Sequence, residues 1–360
     1  MSFCLYVFPS LHPSRLNIIP LSFCLSVSPS SILPNSISLC LFVFMSFCLP
    51  SLLTQYPTVF LSKKFGSPVL RSKLFRIFGT MNNNPLPTTP GPIGIFDSGY
   101  GGLTILSEIQ KALPHYDYIY LGDNARAPYG SRSFDIVYRF TLQAVEELFR
   151  RGCHLVILAC NTASAKALRN IQQLDLPRLD PDRRVLGVIR PTVEAVGDIT
   201  HNGHVGIFAT PGTVASGSYE IEIAKSNPDF KVSAHACPMW VPLVENREAD
   251  RPGADYFVRQ EVDSLLTDDP DIDTIILGCT HYPILYPKIR SAVPESIEIV
   301  RQGDIVARSL ADYLHRHHEM EQRLTRHGHT QYLTTESPEK FSELATLFLG
   351  HPIQARHIEL

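Results

Sequence analysis

The chain has 360 residues, enough for one large domain or two ordinary ones, and 44% of them are hydrophobic, ample for a core. A net charge of -3, with no basic stripe interleaved with aromatics, excludes nucleic acid and an anionic membrane surface as expected partners. The eight cysteines include no C-x-x-C pair, which speaks against a zinc framework or a disulfide scaffold and for reduced thiols in a reducing compartment.

In chain order, residues 1–80 carry no Asp or Glu, and the first acid is Asp97. The most apolar run, Ile37 to Leu53, is broken by Ser38, Ser46 and Pro50 and lies at the short limit for a membrane span. It lacks the basic n-region of a secretory signal. The preferred reading is an extension outside the working protein, with a targeting segment or a membrane anchor as the alternatives. Residues 81–91, opened by Met81, form a polar, Pro-rich flexible lead. Cys4, Cys24, Cys40 and Cys48 fall in the extension, leaving Cys153, Cys160, Cys237 and Cys279 for the folded part.

Ile93 to Phe96 predicts a first strand, ending in Asp97-Ser98-Gly99-Tyr100-Gly101-Gly102. The helix behind it sets Ile105, Ile109, Ala112 and Leu113 on one face and stops at Pro114. Such a Gly-rich turn is an anion cradle. Without a following Lys or a third spaced Gly, it suits a substrate carboxylate better than a phosphate. A second strand, Tyr118 to Leu121, runs into the polar loop Gly122 to Gly130, as a binding loop would. A helix from about Phe134 to Arg151 carries Val137, Phe140, Ala144, Val145 and Leu148 as core.

Leu155 to Ala159 is a branched, apolar run that delivers Cys160 to a strand's C-terminal edge. A helix is expected to begin there, capped by Thr162 or Ser164, with its positive end favouring thiolate at Cys160. Val185 to Ile189 predicts a fourth strand, after which Pro191 interrupts the chain. A second cycle follows: strands at His204 to Phe208 and Lys231 to Ala236, Cys237 as packing, a helix from about Ala254 to Leu266, and the strand Thr274 to Gly278 presenting Cys279. Pro283 suits the first turn of the next helix. A strand near Ile297 to Val300, a helix Ile305 to His318, a strand Gln331 to Thr334 and a helix Glu339 to Phe348 close the chain and are expected to pack back on the first half. The His315, His317, His318, His327 and His329 run has no metal-ligand pattern and reads as a solvated helix end and turn, and no metal site is expected.

Alternating strands and helices predict an α/β fold of two pseudo-symmetric open-sheet domains with the active site in the cleft between them. The first comprises residues 92–190 plus about 301–360 and carries Cys160; the second comprises about 191–300 and carries Cys279. One buried cysteine after a strand is ordinarily inert packing. Two in matching contexts, one followed two residues later by His281, suit a reaction that removes a proton from one face of a carbon acid and returns one to the other. A free thiol ionises near about pH 8.5, so neighbours must hold one as thiolate and the other as thiol. Asp97 and His281 are the expected tuners.

The blocks Phe96-Asp97-Ser98-Gly99-x-Gly101-Gly102-Leu103-Thr104, Tyr120-Leu121-Gly122-Asp123-x-Ala125-Arg126-x-Pro128-Tyr129-Gly130, Cys160-Asn161-Thr162-Ala163-Ser164 and Leu277-Gly278-Cys279-Thr280-His281-Tyr282-Pro283 resemble, in order, the signature of the glutamate racemases. The similarity runs from about Pro92 to the C-terminus. It implies a cofactor-independent, two-base interconversion of L- and D-glutamate in the bacterial cytoplasm, supplying D-glutamate for peptidoglycan. By the family pattern Cys160 deprotonates D-glutamate and Cys279 L-glutamate, Asp97 and His281 assist, and Glu245 stands near the second thiol. Ser98, Pro128, Tyr129, Gly130, Asn161, Thr162, Thr213 and Thr280, with Asp97, Cys160, Cys279 and His281, match the positions that hold the substrate. A homodimer is expected because relatives commonly form one.

Two stretches depart from the family. Ile189-Arg190-Pro191-Thr192 replaces a more usual Pro-Gly, and Gln302-Gly303-Asp304 replaces an Asp-Ser-rich segment; both are expected to touch the domain hinge or oligomer more than chemistry. The alternatives are an aspartate racemase, a superfamily decarboxylase, which requires one thiol only, and a non-catalytic amino-acid-binding module, which requires none.

Overall fold

The computed structural model describes residues 86–360. The expected N-terminal extension, its candidate span and its four cysteines lie outside the described residues. Among the described residues no helix is long and apolar enough to cross a membrane.

Among the described residues, ten strands form two sheets. The first is ordered β10-β9-β2-β1-β3-β4, from β1 (Ile93–Asp97), β2 (Tyr118–Gly122), β3 (Leu155–Leu158), β4 (Arg184–Gly187), β9 (Thr330–Thr334) and β10 (Ala355–His357). The second is ordered β6-β5-β7-β8, from β5 (His204–Ala209), β6 (Lys231–Ala236), β7 (Thr274–Gly278) and β8 (Glu298–Val300). Every pairing is parallel. Strands β1, β2, β3 and β7 are buried along their whole length, which accounts for their continuous apolar runs.

Both sheets reverse direction of growth beside a central strand. The chain passes from β1 to β2 on one side and then to β3 on the other; likewise from β5 to β6 and then to β7. A crevice opens at the C-terminal edge of such a switch point, where α/β sheets take their ligands. Asp97 ends β1, Cys160 follows β3, Thr210 follows β5 and Cys279 follows β7, so the topology sends these four to the two crevices.

The C-terminal part does return to the first sheet. β9 pairs with β2, and β10 extends that edge. The helix Gln302–Arg316 packs along Gly102–Ala112, closely enough that a Cβ on Gly303 would lie 2.7 Å from Glu108 Cγ.

Several local expectations change. Pro191 does not interrupt the chain: it sits in the first turn of the helix Ile189–Val196, where a missing N–H costs no intrahelical bond. Ala112, expected on the buried face, is exposed, and Leu103 and Leu106 are buried instead. The helices Ser218–Ser226 and Trp240–Glu245 and strand β10 are too short to show a period in the sequence.

Candidate active site

Cys160 is itself the N-cap of the helix Asn161–Lys166. Its Sγ accepts from the Ala163 amide at 3.4 Å and donates to Ser98 Oγ at 3.4 Å. The expected caps are engaged elsewhere. Ser164 Oγ donates to the Leu158 carbonyl at 2.9 Å, and Thr162 Oγ1 meets Thr210 Oγ1 at 2.9 Å and Thr213 Oγ1 at 3.2 Å. Nor does the helix end make the thiol acidic. Burial, then the charge of Asp97, push Cys160 up to about 12, beyond what Ser98 and the Ala163 amide recover.

Asp97 is fully buried, and one of its oxygens, Oδ2, accepts from the Gly99 amide at 2.8 Å. The Gly-rich turn is therefore an anion cradle, but the anion nearest its amides is the chain's own carboxylate. Burial raises the Asp97 carboxyl above its usual range, against lowering by His281 and by the Gly99 and Gly102 amides. Asp97 Oδ1 has no hydrogen-bond partner among the described residues. A buried acceptor left open this way is built for a donor brought by a ligand.

Across the crevice, Cys279 is 6% exposed, and its Sγ lies 3.9 Å from His281 Nδ1. His281 Nε2 meets Glu245 Oε1 at 2.9 Å. Burial alone would lower the pKa of this imidazole. The hydrogen bonds to Cys279 and Glu245 outweigh it and raise His281 to about 10, so the ring is a cation at neutral pH. Phe348 packs edge to face against it, with ring centroids 5.5 Å apart.

The two sides meet closely. A Cβ on Gly101 would fall 2.2 Å from Thr280 Oγ1 and 2.4 Å from His281 Nδ1, so only glycine fits there. Thr104 Oγ1 donates to the Thr280 carbonyl at 3.1 Å, and the Gly212 amide donates to the Gly130 carbonyl at 2.7 Å.

The structure thus gathers Asp97, Ser98, Cys160, Thr162, Thr213, Cys279, Thr280, His281 and Glu245 around one crevice. Pro128 is exposed beside it. Tyr129 is less available than expected: its ring is buried between Phe96 and Phe140, and its hydroxyl bonds Asp123. Asn161 is buried and tied to Gln302, with Asn161 Nδ2 donating to Gln302 Oε1 at 2.6 Å. That contact changes the reading of the Gln302-Gly303-Asp304 departure, whose first residue reaches the neighbour of Cys160. Sequence reasoning also passed over Thr210, although it stands only three residues before Thr213, and Tyr219, whose context offers no signal. Cys237 is buried and donates to the His235 carbonyl, as packing requires.

The arrangement offers two sulfur acid–base groups from two strand ends, a buried carboxylate oxygen seeking a donor, an imidazolium, and a triangle of threonine hydroxyls. It can hold a small zwitterion and move protons at one carbon.

Comparison with known proteins agrees. A family model described as Asp/Glu/Hydantoin racemase matches residues 103–310. A glutamate racemase of Roseobacter denitrificans is 44% identical over 272 residues, covering 73% of this chain and 98% of the relative. One of Ruegeria pomeroyi is 44% identical over 271 residues, covering 72% and 97%. Among solved structures, a glutamate racemase isoform of Bacillus anthracis superposes with a TM-score of 0.69 at 35% identity, covering 75% of this chain and 98% of that one. The Francisella tularensis glutamate racemase in complex with D-glutamate gives 0.67 at 29% identity, with the same coverage.

Proposed function

From the premise that the chain belongs to the Asp/Glu/Hydantoin racemase family and is an amino-acid racemase, we propose that it interconverts L- and D-glutamate by a two-base transfer at the α-carbon. Cys160 and Cys279 are the two bases, and no cofactor takes part. The observation that carries this reading is the matched placement of the two buried thiols, each after a central parallel strand and each with its own polar partners.

In the free site Cys160 is a thiol, by burial and by the charge of Asp97. A substrate ammonium paired with the open Asp97 Oδ1 offsets that charge and makes ionisation of Cys160 easier. Cys160, its own proton having passed to solvent as the substrate binds, then takes the proton from the α-carbon of D-glutamate while Cys279 supplies one to the opposite face. In the reverse direction Cys279 is the base. His281, cationic and held by Glu245, offsets negative charge when Cys279 carries it. Ser98, Asn161, Thr162, Thr213 and Thr280 and the Pro128-Tyr129-Gly130 loop hold the substrate's carboxylates and ammonium.

Glutamate is favoured as substrate because the relatives spanning nearly all of their own length are glutamate racemases, one of them holding D-glutamate. The product would supply D-glutamate for peptidoglycan in the bacterial cytoplasm, with the enzyme a homodimer. The two sheets correspond to two domains, residues 92–190 with about 301–360, and about 191–300.

The test is α-proton exchange of L- and D-glutamate in D2O by NMR, alongside circular dichroism, without added cofactor. Exchange of both enantiomers with decay of optical activity to zero is expected. Exchange of aspartate in place of glutamate would overturn the substrate assignment, and no exchange in folded protein would overturn the catalytic one.

A further inference from the structure

Resting on the racemase reading, we propose that Gln302 is a positioning residue that fixes the orientation of the Asn161 side-chain amide, and hence the N–H it offers to the substrate. Asn161 follows Cys160 directly and is 2% exposed. A buried amide can be turned either way by half a rotation, and only its partners decide which end is which.

Here the partners decide it from an unambiguous starting point. The Val188 carbonyl can only accept, so Thr192 Oγ1 donates to it at 2.8 Å. The Thr192 oxygen then accepts from Gln302 Nε2 at 2.9 Å. With its nitrogen committed to Thr192, and to Tyr219 Oη at 2.9 Å, Gln302 must turn Oε1 toward Asn161. Asn161 answers with Nδ2 at 2.6 Å, and its Oδ1 accepts from Tyr219 Oη at 2.8 Å. The chain of donors and acceptors has one consistent direction. It leaves Asn161 with a second Nδ2–H that has no partner among the described residues, one residue from the reacting thiol.

Four helices meet in this network: Asn161–Lys166, Ile189–Val196, Ser218–Ser226 and Gln302–Arg316. The carboxylate of a bound glutamate meets Asn161 equally in the ground state and the transition state, so disturbing the amide raises KM and leaves kcat nearly unchanged.

The test uses Gln302→Glu, Tyr219→Phe and Asn161→Ala in the full chain, with kcat and KM measured for both enantiomers. An ionised carboxylate in place of the Gln302 amide accepts only: it still accepts from Asn161 Nδ2 but draws the Tyr219 and Thr192 hydroxyls to itself, so Asn161 Oδ1 loses its donor and the amide is held at one end only. KM is expected to rise about tenfold for both enantiomers in Gln302→Glu and Tyr219→Phe, as for loss of a hydrogen bond to a charged group, with kcat changed less than about threefold. The Gln302→Glu penalty is expected to shrink as pH falls and the introduced carboxyl, once protonated, regains a donor. In an Asn161→Ala background neither change should raise KM further. Unchanged KM in folded variants, or penalties fully additive with Asn161→Ala, would overturn the proposal. Should Gln302→Glu not fold, Gln302→Met, which removes both the acceptor for Asn161 and the donor to Tyr219 at similar volume, decides the question in its place, with the same rise in KM expected. Absence of glutamate turnover in the unmodified protein would instead defeat the parent reading before any variant is made.

Discussion

The two thiols differ in what surrounds them, and the proposed chemistry rests on that difference. Cys160 faces Ser98 and the Asp97 charge, while Cys279 faces a cation. Replacing either sulfur by a weakly acidic hydroxyl, Cys160→Ser or Cys279→Ser, is expected to lower kcat about 10²- to 10⁴-fold in both directions, followed by circular dichroism. His281 makes a prediction about stability. Its folded pKa, about 10, lies above the ordinary 6.5, so its contribution is complete below pH 6.5 and is lost as pH rises through 10. Denaturant unfolding between pH 6 and pH 10.5 should therefore show falling stability across that window. Glu245→Gln removes a charge that helps hold the proton and so lowers the folded pKa; the fall should be smaller and should end at lower pH. The positions of Asp97, Cys160, Cys279 and His281 at strand ends were legible because the apolar runs before them are unmistakable. Gln302 and Tyr219 were not, because their importance lies in contacts between helices far apart in the chain.

Strands and long helices were legible for a physical reason: buried parallel strands write continuous branched runs, and helices such as Phe134–Arg150 write an apolar face. Short helices write neither, and Pro191 misled because its position within a helix, not its identity, decides whether it breaks one. The Gly-rich turn was recognised as an anion cradle, but its occupant, Asp97, becomes evident only once the turn is folded. The same turn carries a sharper constraint. Gly101→Ala would drive a methyl group into Thr280 and His281 and push the loops after β1 and β7 apart. A loss of more than about tenfold in kcat/KM is expected, with a modest fall in melting temperature, since a misplacement of about 1 Å can cost about 10²-fold.

At the scale of the molecule, the crevice is nearly sealed: Asp97 is 0%, Cys160 5% and Cys279 6% exposed. The bonds from the Gly212 amide to the Gly130 carbonyl and from Ser218 to the Ala165 carbonyl join its two sides, and we predict that they break as the crevice opens to admit glutamate. Opening is thus a step of every turnover, and kcat/KM is expected to fall as solvent viscosity rises. A flat dependence on sucrose concentration would contradict this. The order of strands in the first sheet bears on the birth of the molecule as well as its action. β5 to β8 are contiguous in the chain, and their sheet can close on itself as soon as Val300 has left the ribosome. The first sheet must wait for Thr330–Thr334. Until then β2, apolar and destined to be covered on both faces, is a bare edge able to pair with any neighbouring nascent chain. The part of the protein made first is therefore finished last, and the interval between the two is when aggregation threatens it most.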